Sequence, residues 1–183
     1  MQFDFMKHLL PLLCCLFIVR QSSFAQATTI VTFESAKVTA GEALPGSNCV
    51  VTVSFKIQAG YYLHSNRPTV PRATPTIIQV GALGAARALP PAYSATGQKT
   101  IPGNPAPVPV YEGALTVQIP VVLAPNATFP ITLPGVIGYA PVNEKTQAAG
   151  RMEQVRFTMT IPRSTNPPPA TAKSPTPDPK KKK

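Results

Sequence analysis

The sequence predicts an all-β protein, an immunoglobulin-like antiparallel β-sandwich of about seven strands. Two observations carry that expectation. Apolar residues alternate with polar ones at period two along several segments, which is the signature of half-buried strands. No stretch between Thr28 and Pro162 shows a helical apolar repeat. The 23 prolines also oppose a helical bundle, because each internal proline removes a helix hydrogen bond and clashes with the preceding turn.

The chain opens with a segment that reads as a secretory signal peptide, residues 1–27. Lys7 makes a basic start, Leu9 to Val19 is an apolar run, and Ala25 and Ala27 flank Gln26 as a small-residue cleavage site. The run is too short to span a bilayer core. Cleavage is expected after Ala27. It removes Cys14 and Cys15, so Cys49 alone remains and no intramolecular disulfide can form.

Residues 28–162 form the expected domain. Its strands are Ile30 to Phe33, Cys49 to Ile57, Tyr61 to His64, Ile77 to Leu83, Leu115 to Leu123, Ile131 to Tyr139 and Val155 to Ile161. In the second of these, Cys49, Val51, Val53, Phe55 and Ile57 share one face, and Thr52, Ser54 and Lys56 share the other. Two packed antiparallel sheets would bury such faces against one another. Pro120 cannot donate to a ladder, so its strand is expected at a sheet edge or bulged there. Pro90 to Pro109 holds six prolines and two glycines and reads as a long irregular loop. Residues 163–183 have nothing larger than Ala to bury and end in Lys180, Lys181, Lys182 and Lys183, so a disordered, Pro-rich basic tail is expected.

Catalytic chemistry is sparse. His64 is the one histidine after residue 27, and Glu34, Glu42, Glu112, Glu144 and Glu153 are scattered along the sequence. A nucleophilic triad needs a base and an orienting acid close in space, and His64 has no sequence-level partner. Zinc sites usually need three or four His, Cys or carboxylate ligands, so no metal is expected. No glycine-rich phosphate loop is present, and no cofactor is expected. Cys49 shares parity with Val51, Val53 and Phe55 and is expected to be a buried, inert free thiol. Asn126-Ala127-Thr128 matches a glycosylation sequon, a short pattern to which no role is assigned.

One pattern goes further. It runs Gly60-Tyr61-Tyr62-Leu63-His64-Ser65-Asn66-Arg67-Pro68, then Pro75-Thr76, then Val110-Tyr111-Glu112-Gly113, then Gly138-Tyr139. It resembles the N-terminal periplasmic (alpha) domain of the thiol:disulfide interchange protein DsbD, over roughly Val38 to Ile161. The resemblance implies an immunoglobulin-like fold. It also implies an activity resting on two cysteines, which in that family relay reducing equivalents from a membrane partner to periplasmic substrates. Here Val142 stands where the first cysteine would be, and Ala148 lies near the second. Thiol exchange requires a thiolate, so that activity does not carry over. The family's usual histidine falls where this chain has Tyr62, two residues before His64. Tyr61, Tyr62, Tyr111 and Tyr139 match family positions near the former active site, and with His64 they are the candidate binding residues, since Tyr is a common interface anchor.

The expectation is an exported, periplasmic or secreted, non-catalytic binding module whose partner is a periplasmic or envelope protein. Two alternatives stay open. One is an accessory role in periplasmic thiol–disulfide exchange or electron transfer. The other is weak contact of Lys180 to Lys183 with an anionic envelope surface. Specific nucleic-acid binding is not expected. Of the formal net charge of +10, half sits on residues 163–183, while residues 28–162 carry nine bases and five acids.

Overall fold

The computed structural model describes residues 29–82 and 84–165. The expected signal segment with its expected cleavage site, Leu83 and the chain from residue 166, including Lys180 to Lys183, lie outside the described residues.

The described residues are all-β, as the alternation predicts. The long strands are β1 (Val31–Gly41), β2 (Asn48–Ile57), β9 (Ala114–Leu123), β10 (Ile131–Tyr139) and β12 (Glu153–Ile161). Between them lie β3 (Tyr61–His64), β4 (Ile77–Val80), β5 (Ala86–Ala88), β6 (Ala92–Tyr93), β7 (Gly97–Lys99), β8 (Val108–Tyr111) and β11 (Pro141–Asn143). All pairings are antiparallel, and they make three sheets. The first is β1-β2-β9 with β5 and β6 on the far side of β9. The second is β12-β10-β4, and the third is β11-β3-β8-β7.

The inner faces of the first two sheets make the main core. Val51, Val53, Phe55, Leu115, Val117 and Ile119 from one side meet Leu133, Ile137, Phe157 and Met159 from the other, all buried. Leu63 and Tyr111 enter from the third sheet. Burial of each such side chain contributes roughly 1.5–3 kcal/mol. Phe33, Phe55 and Phe157 pack as an aromatic trio with ring centroids 5.3–5.9 Å apart. Phe157 lies over Gly135, its register partner, and a Cβ there would collide with the Phe157 ring. A smaller second core lies on the outer side of the third sheet. It consists of Tyr62, Val108, Val110 and Val142, packed with Val70 and Ile101.

Four expectations need correction. The seven expected strands all form, but five more accompany them, and there are three sheets where two were expected. The extra strands are two to four residues long and show no legible alternation. β1 extends to Gly41, well beyond Phe33, because its register with β2 shifts between Phe33 and Ser35 and again between Val38 and Ala40. Each extra residue reverses parity, so the sequence pattern breaks although the pairing continues. Residues 90–109 are not an irregular loop: β6, β7 and the start of β8 lie within them. Finally, β9 is neither bulged nor an edge at Pro120. It pairs with β2 in unbroken register from Asn48↔Val122 to Lys56↔Ala114. On its other side the Pro120 carbonyl accepts from the Leu89 amide at 2.8 Å, in the gap between β5 and β6. A strand residue's nitrogen and carbonyl point to the same side, so the missing N–H falls where the outer partner is interrupted.

Candidate functional site

The residues singled out by sequence gather mainly around the third sheet. β3, β8 and β11 are buried on both faces, and β7 at the edge is largely exposed. In β3, Leu63 points into the main core, while Tyr62 and His64, on the opposite parity, face the second core. In β8, Tyr111 points inward and Val108 and Val110 outward. Val142 of β11 lies opposite Tyr62 and is buried in the second core.

β11 begins a hairpin, residues 141–150. Val142 bridges to Ala149, the Asn143 amide donates to the Ala148 carbonyl at 3.1 Å, and the Gly150 amide donates to Pro141 at 2.7 Å. Asn143 builds the tip: its Oδ1 accepts from the amides of Lys145 at 3.0 Å and Thr146 at 3.1 Å. This is the local bond for which Asn is favoured in turns. Gln147 takes a left-handed backbone, φ 56°. Gly150 lies against Pro141 so closely that a Cβ would come within 2.9 Å of the proline ring. The two positions where the resembled family would carry cysteines thus stand on the two arms of one hairpin. Val142 is buried and Ala148 is exposed.

A polar network braces this hairpin from beneath. The Tyr62 hydroxyl donates to Gln147 Oε1 at 2.9 Å, and Gln147 Nε2 donates to the Glu144 carbonyl at 2.7 Å. Lys99 Nζ sits 4.9 Å from the centroid of the Tyr62 ring, a cation–π contact. The same ammonium donates to Glu112 at 2.5 Å and to Glu144 at 2.9 Å. Burial opposes the charge on Lys99, but the hydrogen bonds to both carboxylates outweigh it and raise the pKa. Burial raises the Tyr62 pKa, with Lys99 working against it.

The other candidates divide. Tyr61 is half-buried and packs on the main core. Tyr111 is buried, stacks on Tyr93 with centroids 6.2 Å apart, and donates to Asn66 Oδ1 at 3.0 Å. Tyr139 is buried at the end of β10 and donates to Glu153 at 2.8 Å; burial first, then that carboxylate, pushes its pKa well up. Cys49 is a buried free thiol in the main core opposite Val121, with its pKa raised by burial, as its parity predicts. His64 is buried, lies edge-on to Tyr62 at 5.8 Å, and has an Nδ1 without a hydrogen-bond partner. Among the described residues no group of three or more His, Cys, Asp or Glu could hold a metal ion.

Sequence reasoning missed Lys99, Asn66 and Gln147, and it treated Glu112 and Glu144 as scattered. The one available signal was that Lys99 is the only charged residue between Pro90 and Pro109. A lone charge in a Pro-rich segment needs an opposite partner if the segment folds against the domain.

No protein-family model matches the chain, and no curated protein matches it. Several solved structures are similar to it. The reduced N-terminal domain of DsbD from Neisseria meningitidis shares 15% identity over 71% of this chain and 86% of its own, with a TM-score of 0.44. A complex between the DsbD and PilB N-terminal domains of the same organism matches with 17% identity over 63% of this chain and 81% of that chain, TM-score 0.41. The N-terminal periplasmic domain of ScsB from Proteus mirabilis shares 8% identity over 74% of this chain, TM-score 0.43; the match spans about half, 52%, of that protein's chain. Each is a similarity of fold.

Proposed function

We propose that this chain is an exported, non-catalytic interaction module that presents the hairpin of residues 141–150 to a periplasmic or envelope protein. The observation that carries the reading is the hairpin itself. Its tip is exposed at Lys145, Thr146 and Ala148, and its base is fixed by Tyr62, Gln147, Lys99 and Glu144. An exposed loop held on a rigid scaffold is the usual vehicle of recognition. No thiol stands on it: Val142 and Ala148 can form no mixed disulfide. Cys49, buried in the other core, is poorly placed to substitute.

Crosslinking from envelope extract tests the reading. The wild-type chain should capture a protein that a Lys145→Glu/Thr146→Arg double variant loses. Equal capture by both would sink it. A second surface is favoured by one observation: Ile77 and Met152 are 41% and 59% exposed on the outer side of β4 and β10. Capture lost in Met152→Lys and kept in the hairpin variant would move the partner to that face. An insulin-reduction assay checks the non-catalytic part, with no turnover expected. Turnover that vanishes in Cys49→Ser would instead support the redox alternative.

A further inference from the structure

His64 is 8% exposed, and its Nδ1 is buried without a hydrogen-bond partner. Its side chain shares a face with Tyr62 on β3 and with its register partner Val110 on β8, so it belongs to the outer face of the third sheet. Val70 and Ile101 pack onto that face, and β11 extends it into the hairpin of residues 141–150, with Val142 paired to Tyr62. The covering is pinned at His64 itself. Thr76 Oγ1 donates to the His64 carbonyl at 2.7 Å, and the next residue, Ser65, donates its amide to Pro109 and accepts from the Thr76 amide.

A neutral imidazole with its proton on Nε2 leaves Nδ1 as a bare acceptor, which this pocket tolerates. An imidazolium carries a proton on both nitrogens. A charged N–H would then stand buried with nothing to receive it, and such a group is expelled or kept neutral. The titratable and charged groups on the surrounding elements offer no relief. Lys99 on β7, Glu112 after β8 and Glu144 in the hairpin are bound to one another. Tyr62 on β3 is committed to Gln147, and Tyr111 on β8 to Asn66. Lys145 in the hairpin and Arg67 and Arg72 after β3 are exposed, and they carry the same charge as an imidazolium.

We propose that the outer core is a pH-operated latch: protonation of His64 in mildly acid conditions opens residues 65–76 and the 141–150 hairpin, while the sandwich behind them stays folded. The shift has the matching sign. Burial lowers the folded-state pKa of His64 below its ordinary 6.5. The closed form therefore binds fewer protons than the open one. Its stability is complete above pH 6.5 and declines as the pH falls from there toward the folded-state pKa. Opening would bare Tyr62, Val108, Val110 and Val142, an apolar surface hidden at neutral pH. The proposal stands apart from the interaction reading above.

Amide hydrogen exchange of the full chain, corrected for intrinsic rates, tests it between pH 7.5 and 5.0. The Ser65, Thr76 and Glu144 amides donate the bonds that tie residues 65–76 and the hairpin down, to the carbonyls of Pro109, Ser65 and Gly60. Their protection should fall below pH 6.5 by up to about tenfold per pH unit, the limit for one proton. Val53 and Leu133, in the main core, should keep theirs. His64→Phe should remove the pH dependence. Protection that is flat in the wild type, or equally pH-dependent in His64→Phe, overturns the proposal. Where that variant does not fold, titration of the wild-type His64 imidazole by NMR decides: a midpoint below 6.5 coinciding with the loss of protection supports it, and a midpoint at or above 6.5 overturns it.

Discussion

Cys49 shows how far a single side chain can be read from parity alone. It alternates with Val51 and Val53, it is buried opposite Val121, and burial holds its thiol protonated at neutral pH. A thiol reagent should therefore label the native chain only as fast as the main core opens, and labelling within seconds would contradict this. Cys49→Ser places a hydroxyl there without an evident partner and should cost about 1–3 kcal/mol by denaturant unfolding. Gly135 was not legible in the same way. Its value lies in the Phe157 ring across the strand pair, and sequence alternation reports a face but not what occupies it. Gly135→Ala should destabilise the fold by about 1–3 kcal/mol through overpacking. Adding Phe157→Leu should return part of that loss. Tyr62 and His64 were singled out from a resemblance, and period two could not place them, because a strand buried on both faces has no polar side.

At the scale of elements, four of the five long strands were legible along most of their length, β1 only at its start, and most of the short ones were not. β2, β9, β10 and β12 each run nine or ten residues with a clear apolar face. β5, β6, β7, β8 and β11 are held by what they pair with, and two to four residues cannot display a period. The hairpin of 141–150 was visible only as a run set against positions where the resembled family carries cysteines; its bracing by Lys99 depends on a strand that read as loop. β4 illustrates a further device. It ends the β12-β10-β4 sheet, and the Ile78 amide on it donates to the Tyr93 hydroxyl at 2.9 Å, so a residue of β6 satisfies the edge of another sheet. Tyr93→Phe leaves that donor unmatched and should cost about 1–3 kcal/mol, read as a lower midpoint with an unchanged denaturant slope. Loss of less than a few tenths would mean that water replaces the hydroxyl. Breaking the Lys99–Glu144 pair, which is partly exposed, should cost well under 1 kcal/mol in global stability. Its effect should appear instead as faster exchange at Gln147 and Gly150.

At the scale of the whole molecule, two cores share one wall. β3 and β8 turn Leu63 and Tyr111 to the sandwich and Tyr62, Val108 and Val110 to the outer cluster. The outer cluster is small, so it should open before the sandwich does, and heating followed by residue-resolved exchange should separate the two. The charge divides as the chain does. Removing Lys180 to Lys183 should leave the unfolding midpoint unchanged and abolish any weak, salt-sensitive retention on anionic liposomes. Equal retention without the lysines would place the attraction on the nine bases of residues 28–162. The interruption at Pro120 has a consequence of another kind. The outer flank of β9 is met only by three-residue and two-residue strands, with Pro90 and Pro91 between them and a proline nitrogen at the gap. A strand from a neighbouring copy finds no continuous row of donors and acceptors to extend there. The largest sheet is thereby guarded on that side against edge-to-edge aggregation, a hazard for any chain that folds in the company of other unfolded chains.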